Sequence, residues 1–231
     1  MDSIYVKMII NEQNKQKVSS SALCEGIYSA DMFQLVKKGK RSMDRVTAKR
    51  LLARLGVDNG NYEYYLEYPN YETWKRRKQI INAIEDDRLS DAESLLDEYA
   101  SREDNTRNKS RDRIERQFYL FMKLQIMKHK AKEEIWCKAP YDIVEKALKL
   151  TVPGIDNKPL SELRLSPVEI ALVLEYRIVK YTDASLKEKL CMYEELIYYI
   201  ENILLGTFSS SKIYPKIVVY MYKDICRTLV N

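Results

Sequence analysis

The stretch that decides the fold is residues 73–100, TWKRRKQIINAIEDDRLSDAESLLDEYA. Its apolar residues recur at intervals of three, four and seven, the spacing of one face of an α-helix. They form two successive stripes, the first made by Trp74, Ile81 and Ile84 and the second by Leu89, Ala92, Leu95, Leu96 and Tyr99. The residues between the stripes, 85–88, are too polar for a core and few enough for a tight turn. The sequence therefore predicts two antiparallel helices here, over 71–86 and 89–101.

Helical spacing returns along the rest of this part of the chain. Further helices are predicted over residues 110–131, 140–151, 166–181, 185–205 and 212–229. Paired in order, 110–131 with 140–151 and 166–181 with 185–205, they repeat the first helix pair. Repeated antiparallel pairs predict an α-solenoid. The last helix has no partner in this scheme, as expected of a short solenoid, of a dimer contact or of a truncated chain.

The first 58 residues divide into shorter helices, expected over 4–15, 19–27, 29–38 and 42–55. The last three end at Gly26, Gly39 and Gly56, the residue type that most easily adopts the left-handed conformation closing a helix. Two short helices joined by a glycine-containing turn, within a small bundle, indicate a helix-turn-helix arrangement. We call residues 1–58 the head and residues 71–231 the body, with a linker at 59–70. Five tyrosines in and next to this linker are predicted to pack between head and body rather than to hold a ligand: Tyr62, Tyr64, Tyr65, Tyr68 and Tyr71. No segment alternates polar and apolar residues as a half-buried strand does, so the predicted fold class is all-α.

The excess positive charge of the chain lies at one end. Residues 1–60 hold 11 Lys and Arg against 6 Asp and Glu, whereas residues 61–231 hold 28 of each, which leaves the whole net charge of +5 in the head. Positive charge attracts polyanions by releasing their counterions, so the head is the candidate nucleic-acid surface. The other interpretation is a mildly basic solvated surface.

Other classes of protein find little support in the sequence. Nucleotide-binding, serine-hydrolase and zinc-protease motifs are missing, so we expect no enzyme, cofactor or metal site. The four cysteines (Cys24, Cys137, Cys191 and Cys226) are widely spaced in apolar contexts, and we expect buried, reduced thiols. Without an apolar run of membrane-spanning length or a secretory signal, the predicted location is the cytoplasm.

Several motifs resemble those of known regulators. Residues 18–29 (VSSSALCEGIYS) resemble the second helix and turn of the XRE family of phage-repressor-like DNA-binding domains. Residues 32–41 (MFQLVKKGKR) are similar to its recognition helix and the basic segment that follows, and residues 51–56 (LLARLG) to its fourth helix. In the body, Leu89-x-x-Ala92-x-x-Leu95 and Val144-x-x-Ala147-x-x-Leu150 resemble the second helix of a tetratricopeptide repeat. Residues 147–153 (ALKLTVP) and 165–170 (LSPVEI) resemble segments in the body of regulators that join an XRE-type head to tetratricopeptide repeats.

The resemblance implies a homodimer that binds double-stranded operator DNA through the head and, in some members, a signalling peptide in the concave face of the repeats. Ser20 would face a phosphate at its helix start, Lys38, Lys40 and Arg41 would bind backbone phosphates, and the groove-facing residues would be Ala30, Asp31, Gln34 and Leu35. By the same resemblance, Phe33 and Val36 would lie in the core of the head. Polar residues on the first helices of the body pairs could line a peptide groove, namely Lys78, Asn82, Gln117, Gln125 and Arg177.

The head also departs from the family pattern. Family members often carry polar or basic residues where Asp31 and Leu35 stand, and usually a glutamate where Lys37 stands. These departures imply that specific binding is altered or lost while the phosphate-binding charge is kept. They leave open the alternative hypothesis, a protein–protein interaction scaffold of tetratricopeptide type with a degenerate head.

Overall fold

The structure is a computed structural model that describes residues 3–57, 68–103, 109–130, 141–203 and 213–230. In these ranges the chain forms eleven α-helices, one 3-10 helix and no strand, which confirms the predicted all-α class. The helices are α1 (Ser3–Lys15), α2 (Ser20–Cys24), α3 (Ala30–Lys37), α4 (Arg45–Arg54), α5 (Tyr68–Glu85), α6 (Leu89–Glu103), α7 (Lys109–Lys130), α8 (Tyr141–Lys149), α9 (Pro167–Lys180), α10 (Leu186–Asn202) and α11 (Ile213–Val230), with the 3-10 helix at Leu160–Glu162.

Side-chain caps fix several of the helix starts. The hydroxyl of Ser29 accepts a hydrogen bond from the backbone N–H of Met32 at 3.1 Å, and that of Ser185 accepts one from Glu188 at 3.3 Å. Helix α4 begins later than the predicted residue 42, because its cap is Asp44, whose carboxylate accepts from the N–H of Thr47 at 2.9 Å. These bonds satisfy amide groups that the first turn of a helix leaves without a partner.

Helices α1 to α4 enclose a core of their own. Ile9, Leu23, Phe33 and Leu51 are fully buried there, and Val36 is 4% exposed, which confirms the expected core positions of Phe33 and Val36. One residue of this core comes from the body: Ile114 of α7 is 2% exposed and packs into the same cluster. The head is therefore closed on one side by α7.

From α5 to α9, each helix of the body packs against the next along the chain, and α5 also contacts α7. The buried face of α5 differs from the predicted stripe: Ile80 and Ala83 are fully buried and Ile84 nearly so, while Trp74 and Ile81 are half-buried. The buried face of α5 is therefore shifted by about one residue from the predicted stripe.

The expectation that the last helix has no partner is wrong. Helix α11 packs against α10 and α9, and its Ile217 is fully buried in the large body core. A hydrogen bond of 2.7 Å from the hydroxyl of Tyr193 in α10 to the carboxylate of Asp224 holds α11 in place. Helical spacing alone does not predict this contact, because α11 packs against a helix that the predicted scheme had assigned to another pair.

Two cysteine predictions are also wrong. Cys24 is buried as expected, and burial raises the pKa of its thiol to about 12, but Cys191 and Cys226 are exposed on α10 and α11. Cys137, residues 58–67 of the linker region and the side chains of Tyr68 and Tyr71 lie outside the described residues. No helix in the described ranges combines the length and apolar character that crossing a bilayer requires.

Candidate nucleic-acid interface

Helices α2 and α3 are joined by a tight turn over residues 25–29. Gly26 adopts a left-handed conformation there (φ +72°), and the carbonyl of Cys24 accepts hydrogen bonds from the N–H groups of Ile27 (3.0 Å) and Tyr28 (2.8 Å). Caps at Ser19 and Ser29 start the two helices on either side. The turn holds α3 across α2 at the surface of the head.

Helix α3 has one buried and one exposed face. Phe33 and Val36 point into the head core, while Asp31, Gln34, Leu35 and Lys38 are exposed. Ala30, at the first position of the helix, is half-buried. Four of the five residues predicted on α3 and at its end therefore share one solvent-facing surface, which we call the α3 face.

Ser20 lies at the start of α2 as predicted, but its hydroxyl is already engaged by three donors. It accepts hydrogen bonds from the side chains of Gln13 (3.1 Å), Gln34 (3.3 Å) and Lys37 (3.1 Å). Lys37 also lies 4.8 Å from the ring centre of Phe33, and desolvation lowers its pKa. The role of Ser20 here is to orient Gln34, and the role of Lys37 is to join α3 to α2.

The basic segment after α3 is exposed at Lys38, Lys40 and Arg41. Gly39 is again left-handed (φ +68°), and the guanidinium of Arg41 reaches back to the sulfur of Met32 at 3.5 Å. Lys40 and Arg41 thus lie beside the α3 face, which itself carries the cation Lys38 and the exposed carboxylate of Asp31. Their arrangement suits contact with a polyanion, except at Asp31.

A buried ion pair joins the head to the body. The guanidinium of Arg54 in α4 contacts both carboxylate oxygens of Glu169 in α9, at 2.7 and 3.2 Å, and both side chains are buried. Arg54 also donates to the backbone carbonyls of Leu23 (3.0 Å), Glu25 (2.7 Å) and Thr151 (2.9 Å). One side chain therefore connects α4, the turn after α2, the segment after α8 and the start of α9.

Arg50, one turn before Arg54 on α4, also takes part in this junction. It lies 3.4 Å from Glu169 and donates to the side-chain oxygen of Gln117 in α7. The amide nitrogen of Gln117 donates in turn to the hydroxyl of Thr151 at 2.6 Å and to the carbonyl of Ala147 at 3.0 Å. Gln117 is fully buried, so its predicted place in a peptide groove is wrong: its amide is occupied inside the protein.

The turn after α2 presses directly on the body. A Cβ atom at Gly26 would lie 2.6 Å from the side chain of Pro153 and closer still to the carbonyl oxygen of Thr151. Arg113 donates to the carbonyl of Gly26 at 2.7 Å, and Lys158 contacts the carboxylate of Glu25 at 2.7 Å. These contacts fix the direction in which α2 and α3 face relative to the body.

The junction reduces the number of basic residues in the head that are available to bind nucleic acid. Arg50 and Arg54 are two of its 11 basic residues, but both are buried against the body and add nothing to a nucleic-acid surface. Although burial opposes ionisation of Glu169, the charges of Arg54 and Arg50 prevail and lower the pKa of its carboxyl to about 2. Part of the excess positive charge of the head therefore binds the body, and the rest lies on the outer surface of the head.

The remaining residues predicted for a peptide groove lie on three different helices. Lys78 and Asn82 are exposed on α5, Gln125 is half-buried on α7, and Arg177 of α9 pairs with Glu195 of α10 at 2.7 Å. The structure does not gather these five positions into one surface.

Sequence reasoning missed Arg50, Arg54 and Glu169. A usable signal was present on α4, where two arginines four residues apart fall in a stretch with Leu51, Leu52 and Leu55, all of which are buried. The partner carboxylate is 115 residues away along the chain, and no local pattern identifies it. Comparison of the chain with known protein families, curated proteins and solved structures finds no match.

Proposed function

We propose that this chain is a cytoplasmic, XRE-like transcription regulator that binds double-stranded DNA through α2 and α3, with a tetratricopeptide-like body. The observation that carries the proposal is the α3 face: Gln34 and Lys38 are exposed on one side of a helix whose other side is anchored by Phe33 and Val36. Lys40 and Arg41 continue the positive charge beside it.

In this proposal α3 lies in the major groove. The side-chain amide of Gln34, held by Ser20, reads adenine through its paired donor and acceptor. Ala30 and Leu35 offer apolar contact to thymine methyl groups, and Asp31 accepts from a cytosine amine. Lys38, Lys40 and Arg41 bind backbone phosphates, which fixes the register of the helix on the duplex without reading sequence.

The proposal includes a homodimer, because two α3 helices one DNA turn apart would read a palindromic operator. Large apolar side chains remain exposed on α10 and α11, where Tyr198, Val219 and Tyr222 are 60%, 49% and 59% exposed. That exposure supports a dimer contact on these helices.

The proposal also includes a peptide effector bound by the body. Lys78, Asn82 and Gln125 are the accessible candidates for its binding site. Gln117 and Arg177 are no longer candidates, because Gln117 is buried and Arg177 is paired with Glu195.

A second candidate function is a protein–protein scaffold with a degenerate head. The observation in its favour is Asp31, whose carboxylate is exposed on the α3 face where DNA phosphates would repel it. This candidate predicts that function survives loss of the cations beside α3 and fails when the body is damaged.

Selection of random DNA duplexes by the full chain distinguishes the two. We expect enrichment of a discrete site whose affinity falls steeply with salt. The variant Lys38→Ala/Lys40→Ala/Arg41→Ala should weaken binding to all sequences and reduce the salt slope by roughly 0.9 for each lost phosphate contact. Gln34→Ala should instead relax the preference at one base pair, at a cost of about 1–3 kcal/mol.

The matched control removes the same charge from the body. Lys123, Lys146 and Lys187 are exposed on α7, α8 and α10, and their triple alanine variant should bind DNA as the wild type does. If the wild type enriches no duplex, or if both triple variants lose binding equally, DNA recognition by α3 is refuted.

A further inference from the structure

Lys37 is a cation beside the α3 face that the function proposed above does not use. Within the part of the chain that the structure describes, its ammonium contacts the hydroxyl of Ser20 at 3.1 Å and the ring of Phe33, and no carboxylate pairs with it. An ammonium carries three N–H donors, so two of those on Lys37 have no oxygen acceptor there. Desolvation lowers the pKa of Lys37, as expected of an ammonium that has lost water without gaining a counter-ion.

The hydroxyl of Ser20 has more donors around it than its oxygen can serve. The side-chain nitrogens of Gln13, Gln34 and Lys37 lie 3.1, 3.3 and 3.1 Å from this oxygen. A hydroxyl oxygen has two lone pairs, so it accepts at most two of the three hydrogen bonds in full. The O–H of Ser20 itself has no acceptor among the described residues. The cluster therefore has a surplus of donors and lacks an acceptor.

The ammonium of Lys37 is the donor that can leave this cluster. Gln13 is 3% exposed, and its amide nitrogen is fixed by a second hydrogen bond of 2.9 Å to the carbonyl of Val18. Lys37 is half-buried and has a flexible four-carbon stem, so its ammonium can turn toward solvent while the helices stay in place. The oxygen of Ser20 would then accept from Gln13 and Gln34, which is its full capacity.

Cations lie on both flanks of the α3 face. At 3.6 residues per turn, Lys37 falls on the flank next to Gln34. Met32, which is also half-buried, falls on the opposite flank, next to Leu35. The guanidinium of Arg41 reaches the sulfur of Met32 at 3.5 Å and so lies on that second flank. Because a helix in the major groove has the phosphates of the two strands on its two sides, these two cations are placed to meet opposite strands.

We propose that Lys37 is a further DNA-contacting residue, which donates together with the hydroxyl of Ser20 to one backbone phosphate on the α2 side of the major groove. The inference rests on the DNA-binding function proposed above, and it adds a phosphate contact on the strand opposite to that of Arg41. The phosphate supplies the acceptor that the cluster lacks. Its contact with Lys37 leaves Ser20 to hold Gln34 against the base edge.

A phosphate-by-phosphate scan locates this contact. The full chain is titrated with the duplex that the wild type enriches from random sequences, and each phosphate in turn is replaced by a neutral methylphosphonate. Replacement of the phosphate that Lys37 contacts should weaken wild-type binding about tenfold, the usual effect of losing a hydrogen bond to a charged group. The variant Lys37→Met should bind the unmodified duplex about tenfold more weakly and be insensitive to that same replacement. Phosphates on the opposite strand should remain sensitive in both proteins.

Salt dependence and base preference separate a phosphate contact from a supporting role. Lys37→Met should reduce the salt slope by about 0.9, the value for one phosphate, and leave the base preference unchanged. Lys37→Arg keeps the charge and should recover most of the affinity. Lys123→Met, which removes an equal charge from the exposed surface of α7, is the control and should bind as the wild type does. Thermal unfolding establishes that the variants are folded.

Three results would overturn the contact while DNA binding by the wild type stands. One is a Lys37→Met variant with the affinity and salt slope of the Lys123→Met control. Another is a Lys37→Met variant that is as sensitive as the wild type to every methylphosphonate. The third is a changed base preference in Lys37→Met, which would make Lys37 a support for Gln34 instead. If the wild type enriches no duplex, the function proposed above fails and this contact fails with it.

Discussion

Arg54 illustrates how much of this molecule depends on single side chains. Its guanidinium makes five hydrogen bonds, two to the carboxylate of Glu169 and three to backbone carbonyls, and it is 2% exposed. A buried charge is tolerated when its donors are all matched in this way. Gly26, in the turn after α2, contributes in another way: because it has no side chain, the turn can lie directly against Thr151 and Pro153 of the body.

Replacement of Gly26 by alanine should separate the head from the body. The new methyl group would overlap the carbonyl of Thr151 and the ring of Pro153, in addition to the strain of a left-handed alanine. That strain is about 1–2 kcal/mol. We expect Gly26→Ala to lower the free energy of unfolding, measured in urea, by several kcal/mol in total, on the scale of other overpacked sites.

Gly39→Ala is the matched control. Gly39 has nearly the same backbone angle, φ +68°, but an added Cβ meets no atom within 4 Å. It should show the conformational strain alone. Equal destabilisation by the two alanines would mean that the contact with Thr151 does not limit docking.

At the scale of elements, α4 links the two halves of the protein. Leu51, Leu52 and Leu55 face the head core, while Arg50 and Arg54 reach the body from the same short helix. The position of α4 along its axis therefore matters to both halves, and its N-terminal cap sets that position.

Loss of the cap at Asp44 should destabilise the protein as a whole. The carboxylate of Asp44 accepts from the N–H of Thr47 at 2.9 Å and from its hydroxyl at 2.6 Å. Replacing a cap of this type by alanine costs about 1 kcal/mol, within a range of 0.5–2. We expect Asp44→Ala to reduce the free energy of unfolding by that amount in denaturant titrations.

Asp44→Asn tests whether the cap or the charge is responsible. Asparagine is as good a cap as aspartate, so it should retain most of the stability. If Asp44→Asn is as destabilising as Asp44→Ala, the negative charge at the helix start carries the effect instead.

At the scale of the whole molecule, head and body share one buried network. The orientation of α3 is set by contacts of the turn after α2 with Thr151, Pro153 and Arg113, and by Arg54 behind it. The α3 face is therefore presented in a direction that the body determines. Acid should weaken this connection.

Stability should fall with acid through Glu169. The folded protein lowers the pKa of this carboxyl from 4.5 to about 2, so its ionised form is stabilised by folding. The contribution is complete above pH 4.5 and is lost progressively as the pH falls toward 2. Its size is on the order of 3 kcal/mol. We expect the free energy of unfolding of the wild type to decline over this pH window.

The Glu169→Gln variant isolates this effect. At neutral pH it leaves Arg54 buried without its counter-charge, which typically costs about 3–5 kcal/mol. The difference from the wild type should narrow as the pH falls through the window, because the unfolded wild-type chain binds a proton at Glu169 that folding must release, whereas glutamine does not titrate. A difference that stays constant down to pH 3 would contradict the assignment. Glu93→Gln, at an exposed ion pair with Lys130, should matter little at any pH.

The sequence by itself determined the helices and the identity of the inner face of α3. Caps such as Ser29 and Ser185, glycines at helix ends and apolar spacing are local signals, acting between residues three or four apart. The exposed cations Lys38, Lys40 and Arg41 beside α3 were singled out by the resemblance of residues 32–41 to an XRE-family recognition helix and its basic exit.

Only the tertiary structure decided how the helices are joined. The pairing of α11 with α10, the burial of Gln117 and the Arg54–Glu169 pair all depend on residues far apart in the chain. A buried arginine and an exposed arginine look alike in a sequence, because the difference lies in a partner that folding brings near. For the same reason the basic composition of the head predicted a DNA-binding surface, although two of its arginines, Arg50 and Arg54, are buried against the body.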